Sequence, residues 1–174
     1  RIALANPELN EKEVIAKLDL KVRDSQNRGK YVHSVAEEMP NIDTAKIKEE
    51  YKGYVTALQD WWAVHKPEVI GREIEVWSDR LGFACRVDFV CKLQGEIWNI
   101  DFKTNDKCQI YNEVGLQLCA GKIALAESKD IKVEHTGAVA LSTTGEYAFK
   151  ETKDTEEELI HLIGLFNWIQ KKER

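Results

Sequence analysis

Apolar residues recur along this chain with two different periods, and the change of period locates the elements. Up to about residue 66 the spacing is helical. Residues 11–23 and about 25–39 read as two helices, the second carrying Val32, Val35, Ala36 and Met39 on one side until Pro40 ends it. Asp43 or Thr44 can cap a longer helix to about His65, with Ile47, Tyr51, Tyr54, Val55, Leu58, Trp61 and Trp62 on its buried side. Then the period becomes two. "EIEVWS" (73–78), "FACRVDFVCKL" (83–93) and "EIWNIDFKT" (96–104) read as three strands joined by turns at Asp79-Arg80 and Gln94-Gly95. A helix from about Tyr111 to Glu127, strands in "TGAVALST" and "EYAFKE", and an amphipathic helix over 154–172 follow, the last with Leu159, Leu162, Ile163, Phe166 and Ile169. This order predicts a mixed α/β fold whose central mixed sheet begins as a three-stranded antiparallel meander flanked by helices.

The meander can be tested by counting. If Gln94 and Gly95 form a two-residue turn, Leu93 faces Glu96, Cys91 faces Trp98, Phe89 faces Ile100 and Val87 faces Phe102. That side is wholly apolar and is expected to be the core side. On the other side Asp88 falls opposite Asp101. Like charges so placed repel, and a divalent cation between them removes the conflict, because oxygen-rich sites suit Mg²⁺ or Mn²⁺. Lys103 is one step further along that face, positioned to orient an attacking water. If the parity holds in the preceding strand, Ile74 and Val76 continue the core side while Glu73 and Glu75 join the carboxylate side; Glu73 then faces either Arg86 or Asp88.

Composition narrows the function without choosing it. The 174 residues suffice for one domain (1–174), divided into N-terminal helices (11–66), a sheet region (70–150) and a C-terminal helix (154–172). No apolar run reaches the length of a membrane span and no secretion-signal pattern opens the chain. The net charge of -5 argues against a broadly basic nucleic-acid binder, so any such binding rests on a local patch such as Arg23, Arg28 and Lys30, or Lys103 and Lys107. Cys85, Cys91, Cys108 and Cys119 form no zinc-binding spacing. They read as free thiols of an intracellular protein, with Cys85 and Cys91 sharing the apolar side of one strand.

Five features in order resemble the PD-(D/E)XK nuclease superfamily, its RecB-like exonuclease branch in particular. "RGKYVH" (28–33) is similar to that branch's G-x-x-x-H helix motif. "EIEVWS" resembles the strand whose acid flanks the site, and "GFACRVDFV" the strand that ends in the first metal-binding aspartate. "IDFKT" is similar to the D-x-K signature, and "EVGLQLCAGKIAL" to the helix that follows. The resemblance covers about residues 24–127. It departs from the branch at Cys85, where a Gly is usual, and at Gly121, where a Tyr follows the Gln by four.

The resemblance implies a restriction-endonuclease-like core and a metal-dependent DNA exonuclease acting on single strands or duplex ends. Asp88 and Asp101 would hold Mg²⁺ or Mn²⁺ with His33 as a further ligand and a main-chain carbonyl near Phe102 contributing. Lys103 and Glu73 would serve the chemistry, and Gln117 would contact the substrate. Trp61, Trp62 and Trp77 are candidates for stacking on bases, or for the core. The same residues leave open an inactive nuclease-fold domain that binds nucleic acid or a protein, and a structure-specific endonuclease.

Overall fold

The structure, a computed structural model, describes residues 10–153 and 155–172. Helix α1 (Glu11–Glu38) is one 28-residue helix rather than the expected two. Asn10 caps it, its side chain accepting from the Glu13 amide while Glu13 reaches back to the Asn10 amide. Asp24, where the sequence reading separates the two helices, is helical like its neighbours. The expected helix from residue 44 is also different. Asp43 caps only a short 3₁₀ turn (Thr44–Lys46); a second turn (Glu49–Tyr51) leads into α2 (Lys52–His65).

Strands β1 (Glu68–Ser78), β2 (Phe83–Leu93) and β3 (Glu96–Thr104) form the meander, and its last two match the sequence reading at both ends. Helix α3 (Glu113–Lys129) crosses over to β4 (His135–Leu141), which pairs parallel to β3; β5 (Tyr147–Glu151) closes the sheet and α4 (Glu156–Lys172) ends the described chain. The sheet is therefore mixed, in the order β1-β2-β3-β4-β5. The β2–β3 register follows the count from the turn, with Leu93↔Glu96, Cys91↔Trp98 and Phe89↔Ile100. Gln94 and Gly95 both take positive φ (54° and 93°), the geometry that a two-residue hairpin loop requires.

Both faces of the sheet are covered, not one. Val32, Val35 and Ala36 of α1 and Tyr54, Leu58 and Trp61 of α2 bury Phe89, Cys91, Ile100 and Phe102. Ala124 and Leu125 of α3 cover Val76, Val87 and Val90 on the opposite face. Val87 thus packs away from Phe89, two residues along, and not beside Phe102 as the alternation implied. Ile74 and Val76 go with it, and Cys85 and Cys91 fall on opposite faces rather than sharing one. The cause in β1 is visible at Glu73, whose φ of 48° lies in the left-handed region and reverses the alternation. All four cysteines are free. No helix among the described residues is long and apolar enough to cross a membrane. Helix α4 seats Leu159 and Ile163 against Cys119 and Ile123 but leaves Leu162, Phe166 and Ile169 exposed, so its expected apolar face is only partly used.

Candidate active site

The reversal at Glu73 positions the site. Arg72 pairs with Phe89 and Ile74 with Val87, so Glu73 lies across from Asp88 at the point where both strands exchange faces. One step past the Phe89↔Ile100 pair, Asp88 comes beside Asp101. Helix α1 closes the third side. Its apolar stripe lies on the sheet, and Arg28 holds it to the end of β3, Nε donating to Thr104 Oγ1 (3.1 Å) and Nη2 to the Thr104 carbonyl (3.3 Å). His33, next to the stripe, faces the acids.

The imidazole orientation is informative. Nε2 is 2.9 Å from the Phe102 carbonyl, which can only accept, so Nε2 carries the proton. Nδ1 then lies 3.5 Å from Asp88 Oδ2 and 3.7 Å from Glu73 Oε1. One ligand atom from each of His33, Glu73 and Asp88 lies within 4.8 Å of the others. Three electron-rich atoms do not converge without a cation or a proton among them. A histidine that donates one ring N–H to a carbonyl while offering its other nitrogen has the arrangement typical of metal ligands.

The buried acids agree. Asp101 is 2% exposed. Its Oδ1 accepts from Lys103 Nζ (2.9 Å), while its Oδ2, like Asp88 Oδ2, is buried without a hydrogen-bond donor. Desolvation pushes the Asp88 carboxyl up to about 7; the neighbouring Asp101 adds to the rise and His33 opposes it. These orphaned oxygens and the His33 nitrogen fit a divalent cation, which would supply the charge the cluster lacks. The Phe102 carbonyl, the main-chain oxygen expected near the metal, accepts from His33 Nε2.

Lys103 Nζ also donates to Gln117 Oε1 on α3 (3.0 Å), so the expected lysine, second aspartate and glutamine form one chain of contacts. Glu73 lies in the ligand cluster with His33 and Asp88, and its Oε2 pairs with Arg86 Nε at 2.6 Å. Glu75 lies outside the site, exposed and in register with Arg86. Two grooves flank the cluster and share Gly29 and His33. One, about 450 Å³, is lined by Lys103, Asn105, Tyr111 and Gln117; the other, about 380 Å³, by Lys30, Glu37, Glu73, Arg86 and Asp88.

Of the candidate stacking residues, Trp61 and Trp62 are buried in the core, and Trp77 is exposed with the Lys129 ammonium 5.1 Å from its ring. Tyr111, missed in the sequence, is the half-exposed aromatic on a site groove. Gly121 cannot be replaced by a tyrosine in this backbone. A Cβ there would lie 2.8 Å from Asn99 Nδ2 and 2.9 Å from Val87 Cγ2, because the helix presses on the sheet at that point. Asn99 is itself buried, donating to the Leu118 carbonyl.

No protein-family model matches the chain, and no curated protein matches it. Among solved structures, it is similar in fold to a protein of Eubacterium rectale named a "putative exonuclease", with a TM-score of 0.55 and 10% identity over 81% of this chain. The chain covers 64% of that protein's length. At this identity the likeness speaks for the fold alone, a mixed α/β core.

Proposed function

We propose that this protein is a Mg²⁺- or Mn²⁺-dependent deoxyribonuclease of the PD-(D/E)XK type, acting as an exonuclease on single strands or duplex ends. The observation that carries the reading is the convergence of the His33 nitrogen and the Asp88 and Glu73 oxygens, beside a buried Asp101 that holds Lys103. His33, Asp88, Asp101 and Glu73 would hold the ion. A divalent cation supplies charge neutralisation and polarisation of the scissile phosphate.

The chain's own residues do the rest. Lys103 has three N–H donors, of which Asp101 and Gln117 take two. Among the described residues the third has no partner, and it can orient a water or stabilise charge growing on a phosphate oxygen. Asp101 fixes the ammonium in place, and Gln117, exposed on the groove, lies where it can contact the nucleotide. Tyr111 offers its ring face to an unpaired base. The fold shared with the Eubacterium rectale protein named a "putative exonuclease" supports the reading without adding residues to it.

Turnover of end-labelled single-stranded and duplex DNA with Mg²⁺ or Mn²⁺ tests it. Release of mononucleotides or short products from the ends, with a covalently closed circle left intact, is expected. Cleavage of the circle would assign an endonuclease instead. Full activity in Asp101→Ala or Lys103→Ala would refute the mechanism.

A further inference from the structure

The Arg86–Glu73 pair has no part in the mechanism above, yet its geometry is unusual for a surface ion pair. Arg86 is 64% exposed and Glu73 only 18%, and they meet at 2.6 Å. The pair rests on Glu73's left-handed backbone, a conformation that non-glycine residues adopt at a cost and that concentrates at functional sites. Glu73 therefore has two claims on it. Oε1 faces His33 and Asp88, and Oε2 is held by Arg86. Arg86 meets Glu73 through Nε and lines the groove that also presents Lys30, for which no ion pair is formed among the described residues. An arginine fork is suited to phosphate oxygens.

The two grooves adjoin at Gly29 and His33, so the Arg86 side lies next to the Lys103 side. A Cβ at Gly29 would meet nothing within 4 Å beyond its own stretch of helix, so internal packing does not require a glycine in the middle of this long helix. Close passage of a ligand over the helix gives it a purpose.

We infer that the groove between α1 and β1–β2 is a phosphate subsite for the DNA strand, and that Arg86 passes from Glu73 to the phosphate when the strand arrives, releasing Glu73 to the cation. This deepens the nuclease reading and rests on it. Before DNA binds, Arg86 occupies Glu73 and weakens the metal site; once a phosphate takes Arg86, the full ligand set assembles. Metal and strand then strengthen each other's binding, and by linkage they do so equally.

Two measurements on the full chain test this. In chelator, binding of a labelled single-stranded oligonucleotide to Arg86→Gln is expected to weaken at least threefold, with the slope of log K against log salt falling by about 0.7, one phosphate contact. Arg86→Lys keeps the slope. Wild-type binding that is absent, or that Arg86→Gln leaves unchanged, overturns the phosphate subsite. Calorimetry with Mn²⁺ alone then closes a double-mutant cycle. Arg86→Gln is expected to tighten Mn²⁺ at least fivefold in the wild-type background and less than twofold in Glu73→Gln. Equal tightening in both would mean that Arg86 acts only as a nearby charge, and the hand-over falls. Mn²⁺ binding undiminished in Asp88→Asn would fail the metal site itself and the hand-over with it; the oligonucleotide measurement, made without metal, stands apart from that failure.

Discussion

Replacing Asp88 by Asn should make the metal-free protein more stable, although it removes a residue proposed to be essential. The Asp88 carboxyl is pushed from 3.8 up to about 7, chiefly by burial and with Asp101 adding to it. At about 1.4 kcal/mol per tenfold change in proton affinity, an ionised Asp88 destabilises the metal-free fold by something on the order of 2–4 kcal/mol. The sign follows from linkage. The folded state binds the proton more tightly than the unfolded chain, so stability is lost as pH rises from about 4 towards 7, and the full loss stands above that window. Asn carries no such charge. For a chain of this size, the expected gain at pH 8 in EDTA is roughly 5–15 °C in melting temperature, shrinking towards pH 4. Thermal melts across this range measure it. With Mn²⁺ at a hundred times its dissociation constant, wild type should gain about 2.7 kcal/mol and Asp88→Asn almost nothing. An Asp88→Asn variant less stable than wild type in EDTA at pH 8 would refute the reasoning. It would show that Asp88 is a structural partner of His33 rather than a carboxylate held ready for a cation.

Three further outcomes are expected. Lys103→Ala should lower kcat by about 10²–10³, the scale for losing one positioned donor, while Mn²⁺ affinity by calorimetry stays within a few-fold; an equal collapse of both would mean that the lysine organises the metal site instead. Gly121→Ala should destabilise by about 1–2 kcal/mol in urea melts, because overpacking against Asn99 and Val87 outweighs the helix-propensity gain of about 1 kcal/mol; a net stabilisation would contradict the tight α3–sheet contact. His135 lies between Glu151 (2.7 Å) and Glu96 (3.0 Å), which raise its pKa, the hydrogen bond to Glu151 most. Its contribution to stability is complete below about pH 6.5 and is lost as pH rises through the higher folded value. His135→Gln should flatten the stability profile in that window, and an unchanged profile would show that the two carboxylates do not hold the charged ring.

Much of the site was legible because β2 and β3 alternate strictly and Gln94-Gly95 is a turn of fixed length. Counting from it placed Phe89 against Ile100, and from there Asp88 beside Asp101. His33 and Gln117 came from the ordered resemblance, since nothing in their own spacing says that two helices bring them to one strand end. The parity of β1 was not legible. A left-handed residue at Glu73 leaves no mark in the sequence, and at that point Ile74 and Val76 pass to the other face and the Glu73 carboxylate comes near His33. The second covered face was hidden for a related reason. Asn99 and Asp101 look like solvated outer-face residues, but α3 lies over them, with Asn99 tied to the Leu118 carbonyl and Asp101 to Lys103. The continuity of α1 was obscured because Ile15, Leu18, Leu20 and Val22 of its first half stay exposed and set no common buried face with Val32 and Val35. Tyr111 stands just before α3, where no periodic signal separates a groove aromatic from an ordinary surface one.

The proposed site brings four side chains, from α1, β1, β2 and β3, around one divalent ion. Anomalous diffraction from crystals soaked in Mn²⁺ tests this arrangement. A single strong peak bonded to Asp88, with His33 Nδ1, Glu73 or Asp101 completing its shell, is the predicted result. Ordered carboxylates with no peak among them, or Mn²⁺ bound only at surface acids elsewhere, would contradict it.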